Sequence, residues 1–200
     1  MKKIYLILSI VLVSLVIIVS AVMGLLTWQK SNTDNQLKKE KQQVSNYLNY
    51  QFSDGEFNKL KRSEKNDIYY YAANGKRYVF PDDATYKSWF PTILPNDIML
   101  YSLDKLYETP LGGNVTLRPG SLMQTPTDPN VYLVIKNGQI NAVSDPKLLT
   151  KLYGENWQKL IITIPNFYFT NYKVIKPINS LADFPDIPSQ ITIDQDKGLK

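Results

Sequence analysis

The sequence predicts an α+β protein with an N-terminal transmembrane helix, and three observations support this class. A charge-free apolar run extends from Ile4 to Trp28, two Asn-Gly pairs each lie between β-rich runs, and a short amphipathic helix pattern follows each pair. We therefore expect a membrane segment followed by a duplicated unit of β-hairpin, short helix and further strand.

The apolar run is long enough to cross a bilayer. About 20 apolar residues span the hydrocarbon core, and the run exceeds the roughly 7–15-residue apolar core of a secretory signal. We expect residues 1–28 to form an uncleaved signal anchor, which predicts a single-pass protein of the cell membrane with the lipid bilayer as a partner. Cleavage near Ser20-Ala21 or Gly24 is the alternative.

Basic charge is concentrated around this run. Of the net charge of +5, residues 1–43 supply +4, because they contain six lysines against Asp34 and Glu40. Lysines stand on both sides of the span, so the positive-inside rule leaves the orientation open. A short leader, one span and a long hydrophilic body favour export of the body. The nearly neutral body excludes nucleic acid as a partner, since a nucleic-acid binder carries its basic patch on the folded domain.

The sequence contains neither cysteine nor histidine. This excludes disulfides, thiolate metal sites and a cysteine nucleophile, and it removes the commonest general base and transition-metal ligand. No phosphate-binding loop, Rossmann glycine set or zinc-protease motif is present. We expect no cofactor, no metal site and no enzymatic activity.

Residues 29–66 are predicted to form a polar stalk that is mainly helical. Leu37, Val44 and Leu48 recur at helical spacing, and residues 32–34 could cap the start of a separate helix. The stalk helix would either continue the anchor or follow a break around residues 31–35. The apolar seam is too short to predict self-association, which leaves the oligomeric state open.

An internal repeat is predicted over residues 67–178, in units of about 67–120 and 121–178. With an offset of 63 residues, Asn74-Gly75 aligns with Asn137-Gly138 and Asp82 aligns with Asp145. The apolar positions of the two following helices coincide as well. Residues 179–200 contain several Pro and Asp residues and are predicted to be an extended tail.

A two-residue type I′ turn at each Asn-Gly pair predicts the register of each hairpin. Tyr71 would pair with Tyr78 in the first hairpin, and Ile135 would pair with Ile140 in the second. One face of the first hairpin would then be aromatic, and we expect it to pack on the apolar stripe of the following helix. The residues of that face and stripe are Tyr69, Tyr71, Tyr78, Phe80, Tyr86, Trp89 and Phe90.

The opposite face of the first hairpin provides the predicted binding residues. The predicted register places Tyr70 and Arg77 there, and we take these two, with Trp157 of the second unit, as candidate surface-binding residues. In the alternative interpretation, the aromatic face itself stacks on a carbohydrate or a peptide.

Carboxylates offer a competing enzymatic hypothesis. A pair of Asp or Glu side chains can hydrolyse glycosidic bonds, and Asp82, Asp83 and Asp145 are available. However, Asp82 and Asp145 each stand at the start of a predicted helix, where an Asp caps the first turn. We therefore favour a non-enzymatic binding or envelope-structural role. A membrane-bound hydrolase of wall polymers, or a subunit of a membrane complex with its body in the cytoplasm, is the alternative.

Four segments resemble a repeat of exported, cell-surface proteins in uncultured ultra-small bacteria. The resemblance covers roughly residues 67–175 and rests on GKRYVFPDDATYKSWF, PLGGNVTLRPGS, TDPNVYLVIKNG and LYGENWQKLIITIPNFYFTNYK. Related short repeats accompany cell-wall hydrolase domains, which implies an accessory protein that associates with cell-wall or surface polymers. The resemblance assigns no functional residues. Residues 137–146, NGQINAVSDP, depart from it where the repeat has Arg-Trp.

Overall fold

The computed structural model describes residues 2–49, 54–188 and 190–199, apart from the side chains of residues 2–14, 47 and 54. The predicted α+β class is confirmed, because a long N-terminal helix precedes two five-stranded sheets with short helices. The helices are α1 (Lys2–Leu48), α2 (Asp54–Phe57), α3 (Asp83–Trp89), α4 (Leu103–Tyr107), α5 (Pro146–Tyr153) and α6 (Ile193–Lys197). The strands are β1 (Leu60–Ser63), β2 (Ile68–Tyr71), β3 (Arg77–Val79), β4 (Leu100–Tyr101), β5 (Leu111–Asn114), β6 (Leu122–Thr125), β7 (Asp128–Val134), β8 (Gln139–Ala142), β9 (Ile161–Thr163) and β10 (Lys173–Val174).

The chain divides into two units, Met1–Lys39 and Glu40–Lys200. The first unit consists of α1, whose large apolar side chains from Leu15 to Trp28 are exposed. Among the described residues, Leu15–Asn46 has the length and composition of a segment that can cross a membrane. A single N-terminal apolar helix is thus available as an anchor.

The predicted polar stalk, residues 29–66, is wrong in its second half. α1 continues to Leu48 without a break, and from Glu40 onwards it belongs to the second unit, where Glu40 and Val44 are buried. Downstream, β1 pairs with β2 and is part of the first sheet. Residues 50–53 of the predicted stalk lie outside the described residues.

The two sheets have the same strand order and the same strand directions. The order is β4-β1-β2-β3-β5 in the first sheet and β9-β6-β7-β8-β10 in the second. In each, the three central strands are antiparallel, and each outer strand runs parallel to its neighbour. The two predicted repeat units therefore share one topology of hairpin, helix and further strand. The first repeat unit begins at β1, earlier than the predicted boundary at residue 67.

The predicted register of both hairpins is wrong by one residue. Tyr70 pairs with Tyr78 in the first hairpin and Val134 pairs with Ile140 in the second. The amide of Ala72 donates to the carbonyl of Lys76, so three residues form the loop instead of two. Three-residue loops are the next most common hairpin type. Because side chains alternate along a strand, this shift moves every side chain of β2 to the face opposite the predicted one.

Each sheet buries one face against the helix that follows its hairpin. In the first sheet, Tyr70 and Tyr78 join Tyr86 and Trp89 of α3, and Phe90 directly after it, in one core. The second sheet has an equivalent core beneath α5. Its other face is also buried, under the 3-10 helix that spans residues 166–171. The second sheet is therefore covered on both faces.

The predicted extended tail, residues 179–200, is wrong in its last part, where α6 packs into the protein. Ile191 and Ile193 are buried in the first core. Asp194 accepts a hydrogen bond from the backbone N–H of Ala73 and Asp196 accepts one from that of Asn137, each at 2.9 Å. α6 thus contacts the turns of both hairpins and links the two sheets.

Asp196 makes a pH dependence of stability measurable. Burial raises the pKa of this carboxyl group to about 6, against a value near 3.9 in an unfolded chain. The folded state therefore holds this proton over a pH window in which the unfolded state has lost it, and the associated stability falls as pH rises through about 6. At about 1.4 kcal/mol per pKa unit, wild type should lose about 3 kcal/mol relative to Asp196→Asn between about pH 4 and pH 7. Urea unfolding of both proteins across this range measures the difference, and a constant difference would contradict the assignment.

Candidate functional site

The face of the first sheet that points away from α3 is the candidate functional site. It combines tyrosines with basic side chains. Two of its residues, Lys105 and Tyr107, lie in α4, and the others lie in strands. We define the tyrosine–lysine face as Lys61, Tyr69, Tyr71, Arg77, Tyr101, Lys105 and Tyr107. Alternation along β1, β2 and β3 places its strand residues on the side opposite the buried Leu60, Tyr70 and Tyr78.

Two lysines converge on one tyrosine ring of this face. The ammonium nitrogen of Lys105 lies 4.4 Å from the centroid of the Tyr101 ring, and that of Lys61 lies 5.4 Å from it. Tyr71 meets the same ring edge-on, with centroids 5.8 Å apart. Among the described residues, no carboxylate forms an ion pair with either lysine. Partial burial, and then the charge of Lys105, hold the pKa of Lys61 below its usual value.

Arg77 is held in place within the face. Its guanidinium group donates to the carbonyl of Thr109 and lies 5.4 Å from the ring centroids of both Tyr69 and Tyr107. Burial raises the pKa of the Tyr69 hydroxyl, so this ring stays neutral. Tyr107 remains 69% exposed. The face therefore presents tyrosine rings whose positions are supported by cations.

The second sheet shows that the fold does not require these residue types. At the positions that correspond by strand pairing, the second sheet is apolar and closed to solvent. Those residues are Met123, Tyr132, Val134, Ile140 and Ile164, none more than 6% exposed. The same topology is thus stable when this face of the sheet is apolar and buried by other residues. On the first sheet these positions are held by Arg77, which is buried, and by Lys61, Tyr69, Tyr71 and Tyr101, which are partly exposed, so this face is the candidate binding surface.

Tyr70 does not lie at the surface, so its prediction as a surface-binding residue is wrong. Its side chain is fully buried, and its hydroxyl lies 3.0 Å from Glu56 Oε2 and 2.9 Å from Asp194 Oδ2. Lys59 completes the group at 2.7 Å from Asp194 Oδ2. Burial and the two neighbouring carboxylates raise the pKa of Tyr70, so it stays a neutral phenol. The one-residue register shift explains the error, because Tyr69 and Tyr71 occupy the face that was assigned to Tyr70.

The other two predicted binding residues are also buried. Arg77 lies on the predicted face but is enclosed by Tyr69 and Tyr107. Trp157 is 8% exposed and packs in the core beneath α5. Its size and apolar ring make burial favourable wherever a core is within reach. The structure therefore brings Arg77 into the candidate site and leaves Tyr70 and Trp157 outside it.

The three carboxylates of the enzymatic hypothesis have structural partners. Asp82 accepts from the backbone N–H of Thr85 at 2.6 Å, and Asp145 accepts from that of Lys147 at 2.9 Å, which confirms both predicted helix caps. Asp83 is exposed and pairs with Lys87 on the next turn. Across the described residues, no group of three acidic side chains is arranged to hold a metal ion.

Removal of a helix cap should lower the free energy of unfolding and have no other effect. Asp82→Ala and Asp145→Ala are each expected to lower the free energy of unfolding by about 1 kcal/mol, because each leaves a first-turn N–H without its acceptor. Asp83→Ala removes only an exposed pair and should change stability by less than about 0.5 kcal/mol. Urea denaturation of the three variants tests this ordering. Unchanged stability in both cap variants, with loss of a wall-degrading activity, would favour the hydrolase.

Comparisons with known proteins assign no family to this chain. No family model and no curated protein matches the chain. Among solved structures, it is similar to one described as the periplasmic assembly from the ESX-5 inner membrane complex, with 15% identity and a TM-score of 0.25. The match covers 66% of this chain and 36% of the other, so this chain spans about a third of that protein's length. The similarity is too distant to assign a shared function.

Proposed function

We propose that this protein is a membrane-anchored, extracytoplasmic, non-enzymatic binding protein whose tyrosine–lysine face associates with a cell-wall or surface polymer. One observation carries the proposal: the first sheet has the partly exposed Lys61, Tyr69, Tyr71 and Tyr101 at positions where the second sheet, with the same topology, is apolar and buried. A residue set that the fold does not need is most simply explained by a ligand.

The chemistry of the face suits an extended polymer with sugar or polyol units. Tyrosine rings offer a flat apolar surface for C–H groups and a hydroxyl group for hydrogen bonds, and they lose little conformational entropy on binding. Tyr107 of α4 covers Arg77, so the partly exposed Tyr101 and the exposed Lys105 and Tyr107 would contact a chain that continues beyond the site at both ends. The apolar helix α1 would anchor the protein to the membrane, near which envelope polymers are found.

Binding can be tested with the full chain in nanodiscs and isolated wall sacculi. We expect the wild type to sediment with the sacculi and Tyr101→Ala to remain in solution, because the variant removes the ring that Tyr71, Lys61 and Lys105 surround. Phe167→Ala is the matched control, since Phe167 is an aromatic residue with 66% exposure in the 3-10 helix that covers the second sheet. Equal retention of Tyr101→Ala, or no retention of the wild type, would contradict the proposal.

The side of the membrane is tested separately. Protease shaving of intact cells that express the full chain, with an epitope tag after Lys200, should remove the tag. A protected tag in intact cells that becomes cleavable after lysis would place the folded unit in the cytoplasm. That result would favour the membrane-complex alternative.

A further inference from the structure

We infer that the ligand is an anionic polymer, and that Lys61 and Lys105 bind its repeated phosphate or carboxylate groups. This inference rests on the proposed function, because it concerns the same tyrosine–lysine face. It adds the chemical class of the ligand and names the two side chains that recognise its charge.

Two like charges converge on one ring of the face. Both ammonium groups lie within 5.4 Å of the centroid of one ring, that of Tyr101. Tyr101 attracts each cation through its ring face, but a ring carries no net charge and leaves the repulsion between the two lysines in place. A bound anion would neutralise that repulsion, whereas a neutral polymer would not.

Among the described residues, Lys61 and Lys105 lack an internal counter-ion. Within the described part of the chain, neither lysine has a carboxylate partner, although Lys59 and Lys87 both have one. Asp104 precedes Lys105 in α4, but it is exposed and forms no ion pair with it among the described residues. Partial burial of Lys61 makes its charge costly to hold alone. An external anion supplies the missing partner.

The duplicated unit has uncharged residues at the positions of both lysines. The strand position of Lys61 is filled by the buried Met123 in the second sheet, since each pairs with the corresponding tyrosine, Tyr69 or Tyr132. With the offset of 63 residues, Lys105 aligns with Tyr168 in the sequence. Neither lysine is therefore required by the topology. Arg77, the third cation of the face, is buried and donates to the Thr109 carbonyl, so it supports the rings. Lys61 donates one of its three N–H groups to the carbonyl of Asn58 at 2.8 Å, which leaves two for a ligand, and Lys105 is exposed.

A panel of polymers tests the inference, with the full chain in nanodiscs of zwitterionic lipid. The probes are a poly(glycerol phosphate), a polygalacturonate and a neutral dextran, and binding is measured at low and high salt. We expect the anionic probes to bind and the dextran not to bind, with affinity that falls as salt rises. The phosphate and carboxylate probes show which of the two anionic groups is preferred.

Substitutions assign the charge recognition to the two lysines. The double variant Lys61→Gln/Lys105→Gln should lose about tenfold in affinity for the anionic probe, which two exposed ion pairs can supply. The arginine variant Lys61→Arg/Lys105→Arg should retain binding. Lys147→Gln/Lys151→Gln removes two exposed lysines from α5 and is the charge-matched control. Thermal melts of all variants confirm folding.

The outcomes separate this inference from the proposed function. Equal binding of dextran and anionic probes, lost in Tyr101→Ala and unchanged in the Lys61→Gln/Lys105→Gln variant, would overturn the charge inference and leave the polymer-binding function standing. An equal loss in the α5 control would overturn it too, because the effect would then be general electrostatics. Binding to vesicles of anionic lipid with no binding to any polymer or to sacculi would overturn both.

Discussion

Trp89→Ala is expected to lower the free energy of unfolding by about 4 kcal/mol, the largest effect of a single substitution that we predict. Trp89 is buried in α3, against the aromatic core of the first sheet. Its indole N–H donates to the carbonyl of Thr116 at 2.8 Å. Thr116 lies in the segment between β5 and β6, so this side chain joins α3 to the connection between the two sheets. The alanine variant leaves a large cavity and an unsatisfied buried carbonyl.

Two variants resolve the contributions to this effect. Trp89→Phe keeps most of the ring and removes the N–H, so it should cost about 1–2 kcal/mol. Phe167→Ala removes an exposed aromatic side chain and should change stability by less than about 0.5 kcal/mol. Urea unfolding of the three variants measures the series. If Trp89→Ala were no more destabilised than Phe167→Ala, the position of α3 over the first sheet would be wrong.

Asp194→Ala is expected to lower the free energy of unfolding by about 3 kcal/mol. Asp194 accepts hydrogen bonds from the backbone N–H of Ala73, from Tyr70 and from Lys59, at 2.7–2.9 Å. Burial alone would raise the pKa of Asp194, but these hydrogen bonds outweigh it and hold the pKa below its usual value. Losing one partner of a buried pair typically costs about 3–5 kcal/mol, and partial exposure of Lys59 puts the effect at the low end.

The matched controls for Asp194 are Asp83→Ala and Asp194→Asn. Asp83 forms an exposed ion pair with Lys87, so its loss should have almost no effect. Asp194→Asn keeps a carbonyl oxygen for the Ala73 N–H and should retain part of the stability. Thermal and urea unfolding measure the three variants. An Asp194→Ala protein as stable as Asp83→Ala would show that α6 does not pack between the hairpin turns.

Local patterns predicted the elements that depend on neighbouring residues. Asn-Gly pairs, Asp at helix starts and the spacing of Tyr86, Trp89 and Phe90 each act within a few residues, so the hairpins, caps and core helix could be derived. The register could not, because a two-residue and a three-residue loop are both compatible with Asn-Gly. Only the packing of Tyr70 into the core selects between them, and that packing is a tertiary effect.

Two elements were missed because their sequences look like polar connectors. β1, with Lys61 and Arg62 at its centre, is a strand because β2 and β4 pair with it on both sides. α6 has five residues, too few for a periodic pattern, and depends on Thr192 as its cap and on burial of Ile193. Both are stabilised by contacts that are distant in sequence, which single-chain patterns do not reveal.

The sequence predicted which face of the first hairpin forms the candidate site, but not most of the residues on that face. The sequence pointed to the hairpin face opposite the core and to Arg77. The wrong register placed Tyr70 on this face, where the structure has Tyr69 and Tyr71. Lys61, Tyr101, Lys105 and Tyr107 come from β1, β4 and α4 and meet only in the folded sheet. A three-residue loop in the hairpin would have identified the two strand tyrosines, but no local signal connects them to the lysines.

Hydroxyl-radical footprinting of the full chain in nanodiscs, with and without wall polymer, tests the location of the binding face most directly. We predict that bound polymer reduces oxidation of Tyr101 and Tyr107 several-fold and leaves Phe167 unchanged. Tyr107 and Phe167 are matched reporters, since they are 69% and 66% exposed in equivalent parts of the two units. Protection of Phe167 with none at Tyr101 and Tyr107, while polymer is shown to be bound, would contradict the assignment of the tyrosine–lysine face.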